Sequence, residues 1–99
     1  MVGWWADMVD YLKEYHTEER TAIKARELCM LFNLTQKQLR NIVSAVRQEG
    51  VAVCSSTYGY WYSTDPADIE ITLSRLEGQV KNMNLSIDGL KRILQDQAG

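Results

Sequence analysis

Apolar positions fall into blocks of different period, and the periods predict the elements. In residues 35–50, TQKQLRNIVSAVRQEG, the residues Leu39, Ile42, Val43 and Val46 recur at i, i+3, i+4 and i+7, the stripe of an amphipathic helix. Both ends of the block carry signals. Thr35 can cap the first turn while Gln38, three residues on, bonds back to it, and Gly50 offers the left-handed residue wanted after the last turn. The predicted helix is 35–49. Its opposite face carries Lys37, Arg40, Asn41, Ser44 and Gln48, with no acid among them.

Upstream, residues 4–15 predict a first helix with a stripe of Trp5, Met8, Val9, Leu12 and Tyr15. Trp4 and Trp5 cannot share one face, because neighbours on a helix differ by about 100°. Two uses are open to Trp4: it caps the edge of the core, or it stands exposed for a partner. His16 to Arg20 is a polar connection, and Thr21 to Lys24 has the character of a strand of one or two pairs. Ala25 to Asn33 predicts a second helix with Ala25, Leu28, Cys29 and Phe32 inward. Asn33 tolerates the left-handed conformation, Leu34 fills a tight turn, and the next helix begins at once, so the pair reads as a helix-turn-helix.

Val51 to Ser63 alternates as a hairpin, with Ser55 to Gly59 as its loop and Gly59 available for a positive φ. A hairpin in this place is a wing. Its tip offers the hydroxyls of Ser55, Ser56, Thr57 and Tyr58, which can donate to phosphate; a sheet that only covers the core fits the same pattern.

The last block opens on Asp65-Pro66, a cap followed by proline at the first helical position. From there Ile69, Leu73, Leu76, Val80, Met83, Ile87, Leu90 and Leu94 are spaced alternately by four and three, an unbroken heptad repeat. Leu73, Val80, Ile87 and Leu94 take position a; Ile69, Leu76, Met83 and Leu90 take d. β-branched residues at two a positions with Leu at two d positions favour two strands. A helix of this length runs roughly 48 Å, more than so small a domain can cover. The pattern therefore predicts a homodimer through this helix rather than a helix folded back on its own domain. Antiparallel packing sets Glu70 or Glu77 near Lys91 of the partner, and parallel packing gains no such pair, so orientation leans to antiparallel.

Charge sharpens the picture. The 99-residue chain has a net charge of −2, which argues against a general nucleic-acid coat. Residues 1–19 hold one Lys against five acids, residues 20–63 six cations against two acids, and residues 64–99 four cations against six acids. The positive segment contains the 35–49 helix, a local footprint suited to DNA. Arg suits guanine, Asn and Gln suit adenine, and Lys37, Arg40 and Arg47 can neutralise phosphates.

Other chemistry finds little support. Cys29 and Cys54 form neither a CxxC pair nor a disulfide framework, and with His16 as the sole histidine they predict no metal site. No Ser, Cys or Lys has a recognisable base partner and there is no phosphate loop, so an enzyme is not expected, nor a cofactor or small-molecule ligand. No apolar run spans a bilayer and the N-terminus has acids where a secretory signal has bases, so no membrane is expected and the protein is expected in the cytoplasm.

The stretch from Ala22 through Glu70 resembles small winged-helix DNA-binding proteins encoded by bacteriophages and prophages. The resemblance rests on AIKAREL (22–28), LRNIVSAVRQEGVAVCSS (39–56) and above all GYWYSTDPADIE (59–70). It implies sequence-specific binding of double-stranded DNA in the regulation of phage, prophage or mobile-element genes, in a bacterial or phage-infected cell. It also implies that Gln36, Lys37, Arg40 and Ser44 face the major groove and that the Ser55–Tyr58 tip meets the flanking backbone. Two positions depart from the pattern: Lys24 stands where a threonine would cap the second helix, and the wing tip has no Arg or Lys.

The expected fold is thus mainly α (α+β): a winged helix-turn-helix domain in residues 1–64 and a C-terminal coiled-coil dimerisation helix in 65–99. The expected DNA contacts are Gln36, Lys37, Arg40, Asn41, Ser44, Arg47 and the tip residues Ser55, Ser56, Thr57 and Tyr58. The competing function is a winged-helix module that binds protein, with Tyr58, Trp61 and Trp4 as aromatic anchors, or a replication or DNA-bridging accessory.

Overall fold

The computed structural model describes residues 5–98. It is mainly helical, with a small two-stranded antiparallel sheet and a long C-terminal helix. Trp4, and with it the choice between its two uses, lies outside the described residues.

Helix α1 spans Trp5–Tyr15 and buries Met8, Val9 and Leu12. Tyr15 was expected in this stripe but is 60% exposed. Tyr11 takes its place, packing edge-on against Phe32 with centroids 5.8 Å apart. α1 ends at Tyr15, so the aromatic one turn earlier is the one that meets the second helix.

His16 clasps two neighbouring segments. Its backbone carbonyl accepts from the Tyr62 N–H at 2.8 Å, and its Nδ1 lies 2.6 Å from the Thr21 carbonyl oxygen. Thr21 is not extended as expected but closes a 3₁₀ turn, Glu19–Thr21. Local side-chain bonding wins there: the Glu18 N–H donates to Thr21 Oγ1 at 3.2 Å. Of the predicted strand only Ile23 pairs, through two backbone bonds to Tyr60 of 2.9 and 2.8 Å.

Helix α2 spans Ala25–Phe32 and buries Leu28 and Cys29. Asn33 ends it at φ 54°, ψ 54°, the left-handed conformation expected of it. Helix α3 spans Gln36–Gln48. Its capping box is complete: Thr35 Oγ1 accepts from the Gln38 N–H at 3.1 Å and Gln38 Oε1 accepts from the Thr35 N–H at 2.9 Å. Leu39, Val43 and Val46 are buried, Ile42 is half-buried, and Gly50 follows at φ +84°.

The hairpin is tighter than its sequence suggests. Strand β1 (Val53–Ser56) pairs with β2 (Gly59–Tyr62) in the register Val53–Tyr62 through Ser56–Gly59. The loop is Thr57-Tyr58 alone, not Ser55 to Gly59. Gly59 sits at φ +127°, and a Cβ there would overlap the Ile23 carbonyl, so the Ile23–Tyr60 bridge requires glycine. Val53 joins the core made by the three helices. Cys54 and Trp61, opposite each other in register, are buried too. Both faces of the sheet are therefore covered, the second by the C-terminal helix. Burial pushes the Cys54 thiol up from its ordinary value, so it stays protonated near neutral pH.

Helix α4 spans Pro66–Ala98 without interruption. Asp65 caps it, its Oδ1 accepting from the Ala67 N–H at 3.0 Å. The first two turns belong with the hairpin rather than with a separate unit beginning at residue 65. Thr72, at a g position of the repeat, is buried, and its hydroxyl accepts from the Ser55 N–H at 3.0 Å. Ile69 and Leu76 are half-buried beside it. Beyond them the helix leaves the core and does not fold back. Val80, Met83, Ile87, Leu90 and Leu94 are 47–67% exposed along a molecule 58 Å long. Among the described residues no helix is long and apolar enough to cross a membrane.

Candidate nucleic-acid interface

Burying the Leu39–Val43–Val46 stripe turns the polar side of α3 outward. Gln36, Lys37, Arg40, Asn41, Ser44 and Gln48 are all exposed. Gln48 Nε2 donates to Ser44 Oγ at 3.3 Å, one turn away. Among the described residues the only ion pair is Arg20 with Glu18. Lys37 and Arg40 thus have no carboxylate of the described residues within pairing distance. Their field is open to an anion from outside.

Arg47 is placed differently from its neighbours. It is half-buried, and its guanidinium donates to the Val53 carbonyl at 2.7 Å and to Ser55 Oγ at 3.0 Å. Burial pulls its pKa below the ordinary value, against a smaller opposing effect of Tyr60 and Cys54. It braces α3 against β1 first, and presents a charge second.

The four tip residues also divide. Ser55 is half-buried between Arg47 and Thr72. Ser56 Oγ accepts from the Tyr58 N–H at 3.1 Å and holds the turn. Thr57 and Tyr58 are exposed. The tip lacks a cation in sequence, yet the fold delivers one from 33 residues away. Lys24 Nζ donates to the Thr57 carbonyl at 3.0 Å and lies 6.0 Å from the Tyr58 ring centroid. This is also why α2 has no side-chain cap: Lys24 occupies the cap position and its ammonium is used at the hairpin.

Between α3, the hairpin and the first turns of α4 lies an open groove of about 680 Å³. Lys24, Arg40, Arg47 and Arg75 line it, and no carboxylate does. Four cations from two helices and the loop before α2 therefore converge where the sequence pattern alone showed a row along α3. Arg75 and Lys24 were not among the expected contacts. Arg75 carried a signal in sequence: Lys81, Lys91 and Arg92 each have an acid three or four residues away on α4, and Arg75 has none.

No family model matches the chain, and neither a curated protein nor a solved structure does.

Proposed function

We propose that residues 5–76 form a winged helix-turn-helix in which α3 is the recognition helix and the β1–β2 hairpin the wing. In this reading the chain binds double-stranded DNA sequence-specifically, as a dimer through α4. The observation that carries it is the unpaired cationic surface made by the outer face of α3 and the adjoining groove. Arg40, Asn41, Ser44 and Gln48 supply donors and acceptors for base edges. Lys24, Lys37, Arg47 and Arg75 supply charge for phosphates on either side. A net negative charge elsewhere limits adhesion to nucleic acid at large. The resemblance of GYWYSTDPADIE to phage and prophage proteins supports a role in regulating such genes, in the cytoplasm of the host cell.

Selection of bound fragments from random duplexes, followed by mobility shifts at stepped salt, tests this. The expected result is an enriched motif and an affinity that falls steeply with salt, with a slope near −0.9 per phosphate neutralised. Unaltered mobility of all duplexes at low ionic strength overturns the proposal. So does an Arg40→Ala protein that binds the selected site as tightly as wild type.

A further inference from the structure

The apolar stripe of α4 divides in two. Thr72 is bonded to the hairpin and Ile69 and Leu76 are half-buried, whereas Leu73, Val80, Met83, Ile87, Leu90 and Leu94 are exposed by 47–67%. The open part of the stripe thus runs from Leu73 to Leu94, and its own domain does not cover it.

We propose that a second copy of this chain covers residues 76–94 of it in an antiparallel coil with one defined register. In antiparallel packing an a residue meets a d residue of the other helix, e faces e, and g faces g. Setting Leu76 against Leu94 of the second copy pairs Val80 with Leu90 and Met83 with Ile87, and the two-fold axis repeats each layer. Every layer from 76 to 94 is then apolar on both sides. The same register places Glu77 opposite Lys91, again twice, and Asn84 opposite Asn84. A parallel arrangement sets Gln79 by Asn84 and Ser86 by Lys91, and forms no opposite-charge pair. Charge complementarity therefore selects an antiparallel arrangement with Glu77 opposite Lys91 over a parallel one.

The register has a consequence for the DNA reading, on which this last step rests. Thr72, buried against β1, marks the g side of α4 as the side that carries the domain. Since g faces g, both domains sit on one side of the coil. Residue 76 of the second copy lies level with residue 94 of the first, so the two grooves are about 27 Å apart along the coil at about 1.5 Å per residue. That spacing suits successive turns of one duplex, about 34 Å each, and not the bridging of separate duplexes.

Sedimentation equilibrium on the full chain tests the pairing. Glu77→Lys and Lys91→Glu each set like charges together twice, and each should weaken dimerisation by about tenfold, while the double variant should return to within about threefold of wild type. Spin labels on Gln95→Cys test the orientation: they should lie roughly 30 Å apart if antiparallel and within roughly 15 Å if parallel. Native Cys29 and Cys54 are buried and leave position 95 as the accessible thiol. A double variant as weak as the singles, a short label distance, or a monomer at all concentrations overturns the proposal. None of these measurements involves DNA, so a failed coil and a failed recognition helix remain distinguishable.

Discussion

α3 and α4 have the same kind of sequence: a cap, a proline or capping box at the start, and apolar residues at helical spacing. Their fates differ. The stripe of α3 is sealed within its own chain, with Leu39 at 1% and Val46 at 0% exposure. The stripe of α4 is half-covered at Ile69 and Leu76 and otherwise left open, with Leu73 at 47% and Leu90 at 64%. Periodicity says which face of a helix must be covered. It does not say what covers it, because the cover is supplied by elements distant in sequence or by another chain. For α3 the unpaired feature is the polar face, for α4 the apolar one, and each points to a different partner.

Substitutions that treat the two stripes alike should therefore give unlike results. Leu39→Ala leaves a cavity in the core and should lower unfolding free energy by about 3 kcal/mol, read by urea denaturation. Leu90→Ala should cost a dilute monomer less than about 0.5 kcal/mol and act instead on dimer affinity. Equal losses of stability at both sites would erase the distinction. Next in size, Arg40→Ala and Arg75→Gln should each weaken binding of a selected duplex by about tenfold, about 1.4 kcal/mol, and reduce the salt slope by about one. An effect of Arg40 without one of Arg75 would confine the interface to α3. Smaller again, Thr35→Ala removes one capping bond and should cost about 1 kcal/mol in thermal or urea unfolding, with no change in dimer affinity. The least effect is expected of Lys24→Met, which gives up a solvent-exposed bond to Thr57. Stability should move by about 0.5 kcal/mol, while DNA affinity falls if the tip cation contacts phosphate.

Much of the architecture was legible because it is written locally. The Thr35–Gln38 box, the Asn33 turn, the Asp65-Pro66 start and the heptads of α4 all lie within a few residues of the features they determine. The misreadings are long-range. Tyr15 and Tyr11 are both plausible on α1, and only the position of Phe32 decides between them. The hairpin loop shrank to Thr57-Tyr58 because Gly59 had to sit against Ile23, a contact with no trace in the alternation of apolar residues. Thr72 reads as a coil position until Ser55 is brought beneath it. Of the groove, the α3 face was visible as a stripe without acids. Lys24 was visible only as a missing cap, and Arg47 read as a free cation because nothing local reveals the Val53 carbonyl that takes its guanidinium.

The segment at Ile23 and Lys24 ties two distant places together. Ile23 is hydrogen-bonded to the main chain of Tyr60, and the very next side chain holds the Thr57 carbonyl. The hairpin tip is thereby triangulated from the start of α2 and cannot swing as an independent flap. Its conformational freedom is surrendered when the chain folds, not when a ligand arrives, so a partner that meets Thr57 and Tyr58 encounters a preorganised edge at little further entropic cost.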